Sequence, residues 1–487
     1  MAAFRDFVDD LKKYDEVKTV KEEVDWDLQA SAMCAMSQKV GGPALEFTNV
    51  RGYPGATLLG GALAGPGFTV PSKRNMHGRI AIALGFEPDI GYEELQQSIL
   101  ARLMAPIGAI EVESGPSQEI VKEGKDIDLL QYPIPLLHDK DGGRYLTNQV
   151  VVTINPDNEV PNFGVYRLML AGRDKLVHGG IYRPGVRRDI EAIVEKYHAK
   201  GEPMPFAIVI GAPPPMTMVA CMHLPSGYPE YAFAGGLGAK PLVLVESKLS
   251  DILVPADAEI ILEGHVYPND TAEEGPFASI SRYSDRREGF VYRIETITQR
   301  NDPVLPFVAE GVKGSDSMCL LSVLHSVEML QVLPMATFGI LPKWLTLPLE
   351  TKLVLAVVSL RRPQPFPGLA ARIANAMFGH SPFIRQAIFV DDDVEPYDLF
   401  TVMTDKIYKT RPENIIVDPM PKKLGLTENH NFKSGLTTCA YFDATWRLDR
   451  PEETIPRRVL FEVMYPDEMK EKVKKAWNEE LKLSPKA

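Results

Sequence analysis

A series of short β-branched segments occupies the middle of the chain and constrains its fold more than any other feature. Between about Ile120 and Gly311 these segments are separated by Gly, Pro, Asn and Asp, which is typical of strands joined by turns. The clearest are QVVVTI, PFAIVIGA, PLVLVES, EIILEGHV and YRIETIT. One helix is predicted to interrupt them at about Asp189–His198, because its apolar residues recur at helical spacing. The spacing favours a β-rich, barrel-like central domain.

The two flanks alternate helical and strand patterns. In the N-terminal flank, Phe4, Phe7, Val8 and Leu11 recur at helical spacing, and YEELQQSILARLM reads as a further helix. In the C-terminal flank, helical CLLSVLHSVEMLQ and GLAARIANAMF alternate with strand-like TKLVLAVVSL and RQAIFVDDDV. Such alternation is typical of α/β layers. We therefore predict an α+β multidomain chain, with an N-terminal α/β domain at 1–115, a central domain at 116–314 and a C-terminal α/β domain at 315–465.

The segment 466–487 is predicted to be a separate amphipathic helix. Pro466 suits a first helical turn, and Met469, Val473, Trp477 and Leu481 repeat every four residues. The apolar edge is expected to pack on this subunit or on a partner subunit.

Charge and cysteine usage exclude several classes of protein. The net charge is −12, from 65 acidic and 53 basic residues, so no overall field attracts nucleic acid or anionic lipid. The four cysteines lie far apart without CxxC spacing, which fits buried thiols in a reducing compartment. The first residues lack a signal-peptide pattern, and no apolar run reaches the roughly 20 residues that span a bilayer. A cytoplasmic protein without nucleic-acid or membrane partners is expected.

Three stretches carry candidate site residues. In the first, Asn162 precedes Arg167 between two Gly-containing turns: an amide oxygen suits a hard cation, and a guanidinium binds carboxylate or phosphate bidentately. A turn asparagine and a surface arginine are the alternative.

In the second stretch, Glu230 is the only acid in MHLPSGYPEYAFAGGLGAKP, where a buried carboxylate would need a counter-charge or a metal. Exposure in a loop is equally compatible with the pattern.

The third stretch presents two adjacent glutamates, Glu273 and Glu274, on a predicted loop after the strand EIILEG. A carboxyl group beside a like charge is suited to giving and taking a proton. Adjacent loop glutamates are also commonly solvated, so this assignment competes with a simple surface role.

Taken together and in this order, these stretches resemble the signature segments of the UbiD-like decarboxylases. The resemblance extends over nearly the whole chain and includes PALEFTNVRGYPG, GEPMPFAIVIGAPPP, PEYAFAGGLG and IFVDDDVEPYD. VPADAEIILEG followed by EEGPF is its most specific part. The resemblance implies a central split β-barrel of the flavin-binding kind, a C-terminal domain that dimerises, and a last helix that crosses to a neighbour.

The resemblance also implies the chemistry. The family reversibly decarboxylates aromatic and other unsaturated acids with prenylated flavin mononucleotide (prenylated FMN), held through Mn²⁺ or a similar ion such as Mg²⁺, and often K⁺. Carried over by position, Arg167 faces the substrate carboxylate and Glu274 is the acid/base. Asn162 and Glu230 are implied cofactor and metal ligands, and Met222 lines the flavin pocket. The implied partners are a small aromatic acid, CO₂ and further subunits in a dimer, a hexamer or a hetero-oligomer.

Three positions depart from the family pattern. Asp189 stands where relatives place a metal-binding histidine, Ser279 where they place a second acid, and Cys439 where they place a phosphate-binding lysine. These changes favour a divergent subfamily, such as the phenylphosphate carboxylase type acting on phenolic acids. The alternatives are a non-catalytic subunit of a multi-subunit carboxylase, or a metal-dependent enzyme of phosphate esters.

Overall fold

The computed structural model describes residues 3–67, 75–178, 189–224, 228, 230–280, 282–381, 383–411, 415–417 and 437–477. The α-helices in these ranges are α1 (Phe4–Lys13), α2 (Gln29–Lys39), α3 (Gly78–Ala83), α4 (Tyr92–Leu103), α5 (Asp189–Ala199), α6 (Pro214–Ala220), α7 (Glu230–Leu237), α8 (Asp316–Ala336), α9 (Leu369–His380), α10 (Leu399–Lys409), α11 (Phe461–Met464) and α12 (Asp467–Ala476).

The strands of the first half are β1 (Val17–Val20), β2 (Ala44–Phe47), β3 (Thr57–Gly60), β4 (Ile110–Glu111), β5 (Ile120–Glu123), β6 (Tyr145–Leu146), β7 (Gln149–Ile154), β8 (Pro161–Gly164), β9 (Leu168–Leu170), β10 (Lys175–His178) and β11 (Met204–Ile210). Those of the second half are β12 (Val243–Glu246), β13 (Leu253–Pro255), β14 (Ile260–Val266), β15 (Thr271–Glu274), β16 (Arg287–Gln299), β17 (Val304–Phe307), β18 (Trp344–Thr346), β19 (Leu355–Leu360), β20 (Gln386–Asp391), β21 (Ile415–Val417) and β22 (Ala440–Asp443).

The N-terminal part is a four-stranded sheet in the order β1-β2-β3-β17. Helix α1 buries the four apolar side chains that its spacing predicts, Phe4, Phe7, Val8 and Leu11. The edge strand β17 comes from the far end of the central segment and pairs in parallel with β3. Residues 304–307 thus complete a sheet whose other strands lie in the first 60 residues. Local sequence patterns do not reveal this long-range pairing.

The centre of the molecule is a ten-stranded sheet. Its main path runs β6-β9-β10-β16-β14-β11-β7-β8, and β5 and β15 pair with the long strand β16. Strand β11 lies between β7 and β14 and is apolar almost throughout, which fits a strand covered on both faces. Within the described residues the path is open, with β6 and β8 as its ends.

Among the residues described between 116 and 314, three α-helices, rather than the one predicted, interrupt this β-rich region. Helix α5 matches the predicted helix, but α6 and α7 do not follow from the pattern. Helix α6 starts on two prolines, which suit a first turn, and α7 is rich in glycine and alanine, so neither has a polar face to mark it. Strands β4, β12 and β13 also form a separate three-stranded sheet rather than joining the central one.

The C-terminal part is a five-stranded sheet in the order β18-β19-β20-β22-β21. Its strands β19 and β20 are the two predicted from the alternating pattern, and they run parallel. Helix α8, 21 residues long, is long and apolar enough to cross a bilayer by composition. However, 72% of its most hydrophobic window is buried inside the fold, as expected for the core helix of a domain.

The described part of the terminal helix α12 has no buried residue. Met469, Val473 and Trp477 are 46%, 38% and 37% exposed, while Leu481 lies outside the described residues. The described part of its own subunit therefore covers this apolar face only in part. All four cysteines are free thiols, three of them buried.

Candidate active site

Two charged residues more than a hundred positions apart meet at one edge of the central sheet. Arg167 lies in the three-residue link between β8 and β9, and Glu274 is the last residue of β15. The Nε and Nη2 atoms of Arg167 each donate a hydrogen bond of 2.9 Å to a carboxylate oxygen of Glu274. This bidentate pairing orients both side chains, because the planar fork of a guanidinium matches a carboxylate in only one plane.

The pair lies where protein meets solvent. The Glu274 side chain is fully buried, whereas that of Arg167 is 20% exposed. Arg167 donates a further bond of 3.0 Å from Nη2 to Ser284 Oγ, and its guanidinium stacks 4.7 Å from the centre of the Phe277 ring. Its Nη1 atom makes no hydrogen bond to the residues that the structure describes, which leaves it able to bind an incoming anion.

Tyr145 completes the surroundings of Glu274. Its hydroxyl donates a hydrogen bond of 2.9 Å to Glu274 Oε1, and its ring packs 4.5 Å from that of Phe277. Burial, the charge of Glu274 and this hydrogen bond raise the pKa of Tyr145, so its hydroxyl keeps its proton. The carboxylate of Glu274 thus accepts three hydrogen bonds, one from Tyr145 and two from Arg167, and its side chain has no solvent exposure.

Glu273 and Glu274 have opposite environments. Both lie on strand β15 rather than on the predicted loop, and successive strand residues point to opposite faces. Glu273 is consequently 64% exposed and pairs on the surface with Arg286, 3.0 Å away, while Glu274 is buried against Arg167. The solvated alternative therefore applies to Glu273, whereas Glu274 is buried and stays a predicted acid/base.

A second group of side chains offers oxygen ligands. Asn162 lies on β8, and its Oδ1 is buried without a hydrogen-bond partner among the described residues. Glu230 begins α7 and accepts a hydrogen bond from the backbone N–H of Phe163, the residue next to Asn162. Burial raises the pKa of Glu230 to about 8, and the charge of Asp189 at the start of α5 adds to the rise. Apart from the Phe163 N–H, no donor or cation among the described residues offsets the charge of Glu230.

Such a set fits a hard divalent cation. Carboxylate and amide oxygens are the ligands that Mg²⁺ and Mn²⁺ prefer, and a cation would offset the charge that burial penalises in Glu230. Met222, the residue predicted to line the flavin, is 9% exposed and packs in the large hydrophobic core cluster. The donor chemistry of Asn162, Glu230 and Asp189 thus agrees with the ion-bridged cofactor that the resemblance implies.

The two remaining departures have different surroundings. Ser279 lies two residues beyond Phe277, and its backbone N–H donates to the Arg282 carbonyl. Cys439 is 1% exposed, lies in the same core cluster, and its thiol donates to the Ile384 carbonyl at 3.8 Å. Its position is therefore that of a small core residue of the C-terminal sheet, not of a polar ligand.

Sequence reasoning missed Tyr145 and Ser284. A tyrosine in DGGRYLTNQ and a serine in SRYSD carry no signal by spacing, since each reaches the site only through the pairing of β6 with β9 and of β15 with β16. A partly exposed guanidinium bound to a buried acid is chemically suited to an enzyme that binds a carboxylate and transfers a proton.

Comparison with known proteins identifies the family. The chain matches the models of the 3-octaprenyl-4-hydroxybenzoate carboxy-lyase N-terminal domain at residues 8–99, its Rift-related domain at 109–313 and its C-terminal domain at 319–426. A curated relative, the pyrrole-2-carboxylic acid decarboxylase of Pseudomonas aeruginosa, is 29% identical over 411 residues, covering 82% of this chain and 81% of the relative.

Solved structures agree along almost the entire chain. The UbiD-class enzyme HmfF of Pelotomaculum thermopropionicum, in complex with FMN, has a TM-score of 0.83 at 24% identity, covering 95% of this chain and 98% of that one. The vanillic acid decarboxylase of Sedimentibacter hydroxybenzoicus, in its open form, has a TM-score of 0.81 at 25% identity, covering 99% of both chains. The chain belongs to the UbiD family of carboxy-lyases, which confirms the predicted family and enzyme class.

Proposed function

We propose that this protein is a reversible decarboxylase of aromatic or heteroaromatic acids in which Arg167 binds the substrate carboxylate and Glu274 transfers the proton. The observation that carries the proposal is the bidentate pair of a buried Glu274 with a partly exposed Arg167. Nη1 of Arg167 is the available donor for a carboxylate, and displacement of Ser284 from Nη2 would make that contact bidentate.

The proton transfer follows from the charges around Glu274. A substrate carboxylate that binds Arg167 shares the guanidinium with Glu274 and brings a second negative charge beside it. To act as the acid, Glu274 would take up one proton from solvent when the substrate binds. When CO₂ leaves, Glu274 is the nearby acid that can protonate the carbon atom. In the carboxylation direction, the Glu274 carboxylate removes that proton from the carbon atom. Arg167 then stabilises the carboxylate of the product.

The proposed cofactor is prenylated FMN bound through a divalent cation. Asn162, Glu230 and Asp189 would hold the cation, Mn²⁺ or Mg²⁺ with K⁺ as a further ion, and Met222 would line the flavin. When bound, the flavin supplies an electron sink for the electron pair released as the carbon–carboxyl bond breaks. Cys439 stands where relatives place a lysine that binds the flavin phosphate. The cation would therefore supply more of the phosphate binding in this protein.

The finer organisation belongs to the same proposal. We infer that residues 116–314 form a split β-barrel around the flavin, between the domains 1–115 and 315–465. The C-terminal domain would dimerise, and the segment 466–487 would pack on a neighbouring subunit. The apolar face of α12 supports this arrangement, because Met469, Val473 and Trp477 stay 37–46% exposed beside the described part of their own subunit.

The test is CO₂ exchange on a panel of acids. The full chain, co-expressed with a flavin prenyltransferase, is incubated with labelled CO₂ and benzoic, phenolic and pyrrole-2-carboxylic acids. Exchange is expected for at least one acid and should be lost in Glu274→Gln. Glu273→Gln is the matched control, since it removes the adjacent exposed carboxylate, and it should retain exchange. Absence of both bound flavin and exchange from the unaltered protein would contradict the proposal.

The second candidate function is a non-catalytic subunit of a larger carboxylase. It is favoured by Ser279, which has no charge at the position where relatives place a second acid. The same substitution separates the two functions. In a complex assembled with a catalytic homologue, Glu274→Gln should leave the rate unchanged if this chain acts only as a scaffold, and should abolish its own contribution if it is catalytic.

A further inference from the structure

A cluster of two histidines and a glutamate shares no residue with the Arg167–Glu274 pair or with the proposed oxygen ligands, although the charge of Asp189 acts on its His223. It consists of His223, which follows α6, and of His325 and Glu328 on helix α8, and is called here the histidine–glutamate cluster. His325 and Glu328 are three residues apart and so share one face of the helix. One ligand atom from each of the three residues lies within 4.8 Å of the others.

The three side chains converge on a single carboxylate. Glu328 Oε2 lies 2.6 Å from His325 Nδ1 and 3.5 Å from His223 Nδ1. The other oxygen, Oε1, accepts a hydrogen bond of 2.6 Å from the backbone N–H of His223, which holds the loop after α6 against α8. The His325 and Glu328 side chains are 2% and 4% exposed, whereas that of His223 is 61% exposed.

The second nitrogen of His325 is held by the protein. Its Nε2 lies 2.8 Å from Ser381 Oγ, and the ring of Phe383 packs edge-on 4.9 Å away. A histidine that binds a metal through one nitrogen commonly places the other against a polar group, because this fixes the ring and the tautomer. Ser381 Oγ also accepts hydrogen bonds of 3.1 Å from the backbone N–H groups of Phe383 and Ile384, so it holds the His325 ring in a fixed place.

We propose that the histidine–glutamate cluster binds a divalent transition-metal ion of the zinc type. Two imidazole nitrogens and one carboxylate form a known zinc ligand set, which leaves a fourth position open. Two ligands about 2.0–2.1 Å from a tetrahedral ion are roughly 3.3 Å apart, so the 3.5 Å separation of His223 Nδ1 and Glu328 Oε2 already fits. The His325–Glu328 contact would lengthen as the ion replaces their shared proton.

The open position would face the solvent beside His223 and hold water or a small anion. The ligand chemistry separates this site from that of Asn162, Glu230 and Asp189, where every donor is oxygen. Imidazole nitrogens favour Zn²⁺, Co²⁺ and related ions, whereas an all-oxygen set favours Mg²⁺ and Mn²⁺. A bound ion would join the loop after α6, in the central part of the chain, to helix α8 of the C-terminal part.

The test is metal binding by the full-length, tag-free protein after chelator treatment, in buffer with excess Mg²⁺ to fill the oxygen set. Zn²⁺ affinity is measured by competition with a chromophoric chelator, and Co²⁺ by its visible absorption. One equivalent of Zn²⁺ is expected, with loss of affinity by about tenfold or more in His325→Gln and in Glu328→Gln. His223→Gln changes an exposed side chain, so it provides the same test of Zn²⁺ affinity if the variants at the buried positions do not fold.

Two variants act as controls. His265→Gln removes a histidine that also lies beside a glutamate, Glu295, at 3.2 Å, but outside the cluster. Asn162→Ala removes an oxygen ligand of the proposed cofactor cation. Both should keep the Zn²⁺ affinity unchanged. The proposal is overturned if the unaltered protein binds no Zn²⁺, or if bound Zn²⁺ survives His325→Gln and His223→Gln. Neither outcome depends on decarboxylase activity.

Discussion

Replacement of Arg167 by methionine tests the central ion pair through stability as well as activity. The substitution removes both 2.9 Å hydrogen bonds to Glu274, whose side chain has no solvent exposure, and leaves Tyr145 as its donor among the described residues. Breaking a buried pair by removing one partner costs about 3–5 kcal/mol, because the remaining charge is neither solvated nor compensated. Methionine retains an apolar contact with the Phe277 ring, so lost packing adds little.

The loss is measured as a shift in the thermal midpoint. For a domain of about 200 residues, 1 kcal/mol corresponds to about 2–4 °C, so Arg167→Met should lower the midpoint by about 6–20 °C. Arg286→Met is the control, because it breaks the exposed pair with Glu273 and should cost at most about 1 kcal/mol.

The double variant Arg167→Met/Glu274→Gln separates the charge effect from other causes. It removes both ions together, so it should regain much of the stability lost in Arg167→Met, while both variants lose CO₂ exchange. A double variant whose loss equals the sum of the two single losses would refute the reasoning, as would an Arg167→Met protein with an unchanged midpoint.

Three further predictions rest on single contacts. Tyr145→Phe removes a hydrogen bond to a charged acceptor and should cost about 1.5–3 kcal/mol in unfolding experiments, together with a fall in exchange rate. Burial raises the pKa of Asp316 to about 6, so its contribution to stability is complete below its unfolded value near 4 and is lost as the pH rises through about 6. Asp316→Asn should flatten the pH dependence of the free energy of unfolding and be more stable than the unaltered protein by up to about 3 kcal/mol at about pH 8. Denaturant titrations between about pH 4 and pH 8 measure this difference, and an unchanged pH dependence would contradict the assignment. Val473→Asp, on the exposed apolar face of α12, should reduce the assembled mass in sedimentation experiments if that face contacts another subunit.

Local patterns predicted much of the secondary structure correctly. Helix α1, helix α5 and the strands β19 and β20 follow from apolar spacing, because each buries one face or a whole strand and the sequence must supply that face. Helices α6 and α7 did not follow from spacing, since proline, glycine and alanine carry no periodic signal and tertiary packing stabilises them.

The candidate site divides in the same way. The residue types of Arg167, Glu274, Asn162 and Glu230 could be selected from the sequence, because their stretches resemble family segments of known order. Which of two adjacent glutamates is buried could not, since it depends on the register of β15 against β16. Tyr145 and the histidine–glutamate cluster also had to await the fold, because strand pairing and loop–helix contacts join residues 102 to 129 positions apart.

The sequence by itself thus determined the family, several of the helices and strands in the flanking domains and the kinds of chemical group available to the site. Only the tertiary structure decided which of those groups meet, which are buried and which remain open to solvent. The physical reason is that hydrophobic periodicity is a local property of the chain, whereas the environment of a charge depends on whatever distant segments pack around it.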